Sequence, residues 1–105
     1  MDKKLEEAID GIGADASLVI DFEGNVIKSA NVDFAENIAL MTEAAFSMCK
    51  DLSEDLGNGE LEQLITKTSK GIMITSKVGN YIVSIISNDF SNLGILLKKI
   101  NSISQ

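Results

Sequence analysis

The chain has 105 residues, the length of one domain with a sizeable core, and its 45% apolar and 24% charged composition describes an ordinary globular sequence with no low-complexity tract. Sixteen acidic residues against nine basic ones leave a net charge of -7, which disfavours a nucleic-acid ligand, because phosphate binding rests on lysine and arginine. All nine basic residues are lysines, and the absence of arginine, histidine and proline removes whole classes of site chemistry.

Residues 3–10 read as a short helix, with Leu5, Ala8 and Ile9 inward and a stop at Gly11 or Gly13. The opening segment MDKKLEEAID has no apolar h-region, and no run approaches 18 apolar residues, so neither a signal peptide nor a membrane span is expected and the cytoplasm is the expected location. Residues 16–21, ASLVID, form a nearly continuous apolar run, as in a strand covered on both faces. A turn at FEGN, with Gly24 free to take positive φ, returns the chain as a second strand over 26–29.

The longest helical pattern follows, over residues 33–56. Asp33 with Glu36 three residues later makes an acidic capping box, and Gly57-Asn58-Gly59 ends the helix. Phe34, Ala35, Ile38, Met41, Ala45, Met48, Cys49, Leu52 and Leu56 share one face and are expected against the sheet. Ala39, Leu40, Ala44 and Phe46 lie outside that face, so small and apolar residues cover about 200° of the circumference, where a surface helix needs about 100°. The surplus predicts an interface with a second chain.

Residues 60–68 give a weaker, more polar strand signal, expected at the edge of the sheet. Residues 71–78 and 80–87 are stronger β runs joined by a turn at Gly79-Asn80. A last helix over 91–103 puts Leu93, Leu96, Leu97, Ile100 and Ile103 on one face, with Ser91 or Asp89 as cap and Gly94 expected close to the sheet. The expected fold is therefore an α/β (α+β) sandwich, a five-stranded antiparallel sheet with the long helix on one face and the two terminal helices on the other.

Catalytic and metal chemistry find little support. With no histidine, a nucleophile–base pair is missing, and a single cysteine, Cys49, cannot assemble a zinc site. Gly11-Ile12-Gly13 is too short to cradle a phosphate, and no G-x-x-x-x-G-K-[ST] pattern is present. The acidic clusters fall on solvated faces. No cofactor and no metal are expected.

ASLVIDFEGNVIKSA at residues 16–30, the helix ending in GNGELEQLI, the hairpin KGIMITSKVGNYIVSIIS and the helix start NLGILLKKI resemble the roadblock family, the dynein light-chain type. The resemblance spans nearly the whole chain and implies a profilin/longin-like sandwich with strand order 2-1-5-4-3. It implies a homodimer, or a pair with a paralogous roadblock domain, through the third strand and the long helix, using Ala39, Ala44, Phe46, Leu61, Gln63 and Ile65. It further implies a non-catalytic adaptor or regulator for a Ras-like small GTPase, contacted by Glu36, Leu40, Glu43, Ser47 and Lys50. With no arginine, the chain has no finger to insert into a GTPase active site. The other readings are a small-molecule sensor domain and a structural subunit of a larger complex.

Overall fold

A computed structural model describes residues 1–104. Its elements run α1 (Lys3–Asp10), β1 (Ala16–Ile20), β2 (Val26–Ala30), α2 (Ala35–Asp55), β3 (Gln63–Lys67), β4 (Ile72–Val78), β5 (Tyr81–Ser87) and α3 (Leu93–Ser104), the last preceded by a 3-10 turn at Phe90–Asn92. All strand pairs are antiparallel, in the order β2-β1-β5-β4-β3 expected from the resemblance. Among the described residues, no helix is long and apolar enough to cross a membrane.

The strands with continuous apolar runs are the ones buried on both faces. In β1, Val19 joins Val83 and Ile85 of β5, Ile72, Ile74 and Val78 of β4, Ile9 of α1, and Leu96 and Ile100 of α3 in one core. Leu18 and Ile20 point the other way and pack with Ile82 under Ala39 and Phe46 of α2. The sheet thus carries α2 on one side and α1 with α3 on the other. Between β4 and β5, Thr75 and Ser84 are fully buried but satisfy each other at 2.7 Å, so the polar pair sits in the core without an unpaired hydroxyl.

The turns follow from local chemistry. Asp21 holds the β1–β2 turn by accepting from the amides of Glu23 and Asn25 at 3.0 and 2.9 Å and from the Asn25 side chain at 2.9 Å. These donors, led by Asn25, hold its carboxyl below the usual aspartate range. At the C-terminus of α2, Gly57 takes φ 68°, its N–H donates to the Glu54 carbonyl, and the Asn58 N–H donates to Ser53. This pair of bonds is the Schellman closure that a helix-ending glycine provides. Asp89 caps the 3-10 turn through the Ser91 amide at 2.9 Å, and the Ser91 donors keep its carboxyl below the ordinary value.

Three expectations need correction. Asp33 does not cap α2: the N-cap is Phe34, in left-handed backbone at φ 55° and ψ 44°, with no side-chain capping bond. Gly94 does not approach the sheet, since a Cβ built there would meet nothing within 4 Å. The third correction concerns the two faces of α2 and bears on function.

Candidate interaction surface

The α2 helix is apolar over more than one face, and the sheet takes a flank turned about 90° from the centre of the stripe expected there, keeping only Ala35 and Ile38 of that stripe against it. Its buried residues are Ala39, Thr42 and Phe46, on the stripe that also holds the half-buried Ala35. Ala39 is fully covered, and a small side chain there lets the helix backbone settle close to β1, while Phe46 fills the space over Ile20 and Ile82. Thr42 adds no unpaired polar atom, because its hydroxyl donates to the Ile38 carbonyl at 2.8 Å. Ala39 and Phe46, expected at a dimer interface, therefore belong to the core.

The residues expected inside are largely outside. Phe34 is 81% exposed, Met41, Met48, Leu52 and Leu56 are 58% to 71% exposed, and Leu40, expected at the partner-binding surface, joins them at 58%. At 100° per residue, these side chains with Ala44 and Ala45 occupy a continuous sector of about 160°. Six large apolar side chains on one helix face form a patch that a monomer rarely leaves bare. Ile38 and Cys49 lie half-buried at the border between the two faces.

The other expected interface residues divide. Ile65 is 45% exposed on β3, which among the described residues ends the sheet with its outer edge unpaired. Gln63 is already engaged, its amide donating to Ser76 at 2.7 Å and to Asn101 of α3 at 3.0 Å. Leu61 precedes the strand and leans on the α2-side core beside Leu64. Backbone alternation decides what β3 offers. The Thr68 N–H bonds the Gly71 carbonyl at 2.9 Å, so in an antiparallel ladder Leu64 and Thr66 face β4, and the amides of Gln63, Ile65 and Lys67 point away from the sheet.

The expected partner-binding residues lie along one flank of α2. Glu43, Ser47 and Lys50 border a groove of about 330 Å³ whose other walls are Phe22, Phe46, Glu60, Leu61, Lys77 and Ile82. Leu40 sits higher, against the β1–β2 turn, where its methyl approaches the Gly24 Cβ position to 3.1 Å. Glu36, one turn earlier on the same flank, is exposed. The groove rim mixes charges: Lys77 lies 3.8 Å from Glu60 and 5.8 Å from the Phe22 ring centroid. Among the described residues, no buried side-chain nitrogen or oxygen lacks a hydrogen-bond partner, and no group of three potential metal ligands gathers. The surface is thus one of shape and apolar area, with no side-chain donor or acceptor buried and waiting for a ligand.

The sequence profile of the Roadblock/LC7 domain matches residues 2–87. Comparison of the sequence with curated proteins gives no significant match. Among solved structures, Myxococcus xanthus MglB superposes with a TM-score of 0.78 at 21% identity, covering 96% of this chain and 83% of that one. The gliding protein MglB of Thermus thermophilus gives 0.85 at 13% identity, covering 98% and 84%. Acanthamoeba castellanii profilin IA gives 0.71 at 12% identity, covering 97% and 91%. At these identities the likeness is one of fold.

Proposed function

The chain belongs to the Roadblock/LC7 domain family, and on that premise we propose that it is a non-catalytic, dimeric adaptor or regulator that binds a Ras-like small GTPase in the cytoplasm. The observation that carries the reading is the outward face of α2, with six large apolar side chains uncovered. The free β3 edge gives that face a second point of attachment, through the outward amides of Ile65 and its neighbours. Burying four such side chains contributes roughly 6 to 12 kcal/mol per subunit, against an association cost of about 4 to 15 kcal/mol, so the face is adequate for a dimer when strand pairing adds to it. Ala44 remains an interface residue in this reading, joined by Met41, Met48 and Leu52 in place of Ala39 and Phe46.

The GTPase contact falls on the flank bearing Glu36, Leu40, Glu43, Ser47 and Lys50. A chain without arginine supplies no finger in trans, so any effect on hydrolysis acts by ordering the partner's own catalytic groups. The test is binding of purified Ras-like GTPases, loaded with GDP or a non-hydrolysable GTP analogue, together with sedimentation of the free protein. Nucleotide-dependent binding by a dimer is the expected result. A strict monomer at about 10 μM, far above the concentration at which a dimer with nanomolar Kd dissociates, that binds no GTPase in either state would overturn the proposal.

A further inference from the structure

The groove beside Phe46 has an apolar floor and apolar walls. Phe46 of α2 and Ile82 of β5, 6% and 3% exposed, form the floor, and Phe22 of the β1–β2 turn and Leu61 ahead of β3 form the walls. Both walls are held from behind. Three hydrogen bonds to the Asp21 carboxylate fix the turn that carries Phe22, and Leu61 packs on the core under α2. The hollow is therefore present before anything binds, and no ordering of the chain is needed to form it.

Size and chemistry decide what fits. At 330 Å³ the groove lies at the lower end of small-molecule sites, which run from about 300 to 1,000 Å³ and fix their ligands with a few placed polar groups. Here the polar groups stand on the rim, Glu43, Ser47 and Lys50 on the α2 side, Glu60 and Lys77 on the other. Among the described residues, no buried side-chain nitrogen or oxygen is left to receive a ligand. A molecule lying wholly inside would leave its own polar groups unpaired. One large apolar side chain of a polypeptide avoids that cost, because its backbone stays at the mouth. Two carboxylates and two ammonium groups on the rim can pair with backbone N–H and carbonyl groups alike, and they make the mouth neutral on a chain of net charge -7.

Placement decides which polypeptide. Glu43, Ser47 and Lys50 lie about 150° around α2 from Met41, Met48 and Leu52, so a second chain seated on the outward face leaves the groove uncovered. Leu40, 58% exposed, leads into it, packing under the β1–β2 turn at Gly24, two residues from Phe22. The groove thus continues the flank of the proposed GTPase contact.

We infer that this groove is the anchor pocket of that contact, taking one leucine-, methionine- or phenylalanine-sized side chain of the GTPase between Phe22 and Phe46. The inference rests on the reading of the flank as the GTPase surface and specifies how the partner is gripped. A side chain buried in a preformed pocket, ringed by polar groups that exclude water, concentrates binding energy in one residue.

Two variants test it: Phe22→Ala removes a wall, and Ser47→Phe fills the hollow from its rim. Binding of Ras-like GTPases, loaded with GDP or a non-hydrolysable GTP analogue, is followed kinetically at low and high ionic strength, with circular dichroism reporting the fold and sedimentation the self-association. Each variant is expected to weaken binding by about tenfold or more. The loss is expected in the dissociation rate and equally at both salt concentrations, because apolar contact is removed and charge steering is not. Self-association is expected to stay as in the wild type. Folded variants that bind as tightly as the wild type overturn the inference and leave the adaptor standing. So does a loss confined to the association rate at low salt, which assigns the contact to the rim charges alone. Weaker self-association in step with weaker GTPase binding assigns the groove to a second copy, and a small molecule released stoichiometrically from the denatured wild type assigns it to a ligand; either overturns the inference. A wild type that binds no GTPase in either nucleotide state overturns the inference together with the function it rests on. If Ser47→Phe is unfolded, Phe22→Ala, which shortens a side chain already 44% exposed, decides alone.

Discussion

Phe34 adopts left-handed backbone, at φ 55°, and at the same time exposes 81% of its surface. The conformation costs an L-residue about 1 to 2 kcal/mol, and glycine, which lacks that penalty, gives back about 0.5 to 1 kcal/mol in lost chain entropy. Phe34→Gly is therefore expected to raise the urea-unfolding free energy by about 0.5 kcal/mol while weakening association through α2. The two effects have opposite signs, and a variant that lost stability and association together would show the ring to be part of the fold. Lys28 illustrates the opposite use of a side chain. It reaches from β2 to Glu6 and Asp10 of α1, both at 2.9 Å, and these hydrogen bonds, Asp10 first, raise its pKa above the ordinary lysine value. A raised pKa means that the bridge's contribution is fully present below the unfolded-state value, about 10.4, and is lost as pH climbs through the folded value. Lys28→Met is expected to lower the melting temperature at pH 7, with the difference from wild type closing above that value. A difference constant to pH 11.5, well past the ordinary lysine pKa, would assign the effect to packing.

At the scale of elements, the two faces of α2 separate what a sequence pattern contains from what it omits. Periodicity reports that a face is apolar, and here two faces are, so nothing in the 100° repeat says which one the sheet takes. The choice falls to volume: Ala35, Ala39 and Thr42 form a shallow stripe that fits against β1, while Met41, Met48 and Leu52 would hold the helix away. Small residues between the larger ones are the available signal, and Ala39 is small enough to admit either a second helix or the sheet, which is what it meets. Elements that leave no such choice of face are legible in the sequence. The single apolar stripe of α3, the doubly buried runs of β1, β4 and β5 and the glycine stop of α2 all lie where composition and turn chemistry put them. Phe34 as N-cap was not legible, because a neighbouring Asp33 with Glu36 offers the better capping chemistry. Leucine substitutions test the assignment of faces. Ala39→Leu is expected to cost about 1 to 3 kcal/mol by overpacking a fully buried site, whereas Ala44→Leu is expected to change stability by under about 0.5 kcal/mol and to alter association instead. Equal losses in denaturant titrations would overturn the inward–outward assignment.

The whole molecule has two sheet edges, and they are unequal. On β2, the register shifts between Val19 and Ile20, where a bulge bends the strand, and Lys28 on the sheet face is tied down to α1. An inward charge and a bulge are the means by which an edge is kept from pairing. The β3 ladder with β4 has no such shift across its five residues, and its outward amides stand beside the exposed Ile65. The molecule is thus open to extension on one side only, and the apolar face of α2 means that extension need not rest on backbone bonds alone. Ile27 of β2 is exposed to nearly the same degree as Ile65, 41% against 45%, which makes the two residues a matched pair. Ile65→Lys is expected to weaken dimer formation, with itself or with a paralogous domain, by about tenfold or more, equivalent to about 1.4 kcal/mol. Ile27→Lys, equally polar and equally accessible, is expected to leave the sedimentation profile of the same pair unchanged, with both variants retaining the wild-type circular dichroism spectrum. If Ile27→Lys were the disruptive change, the pairing edge would be β2, and the bulge and the Lys28 bridge would have to open before the second chain could bind.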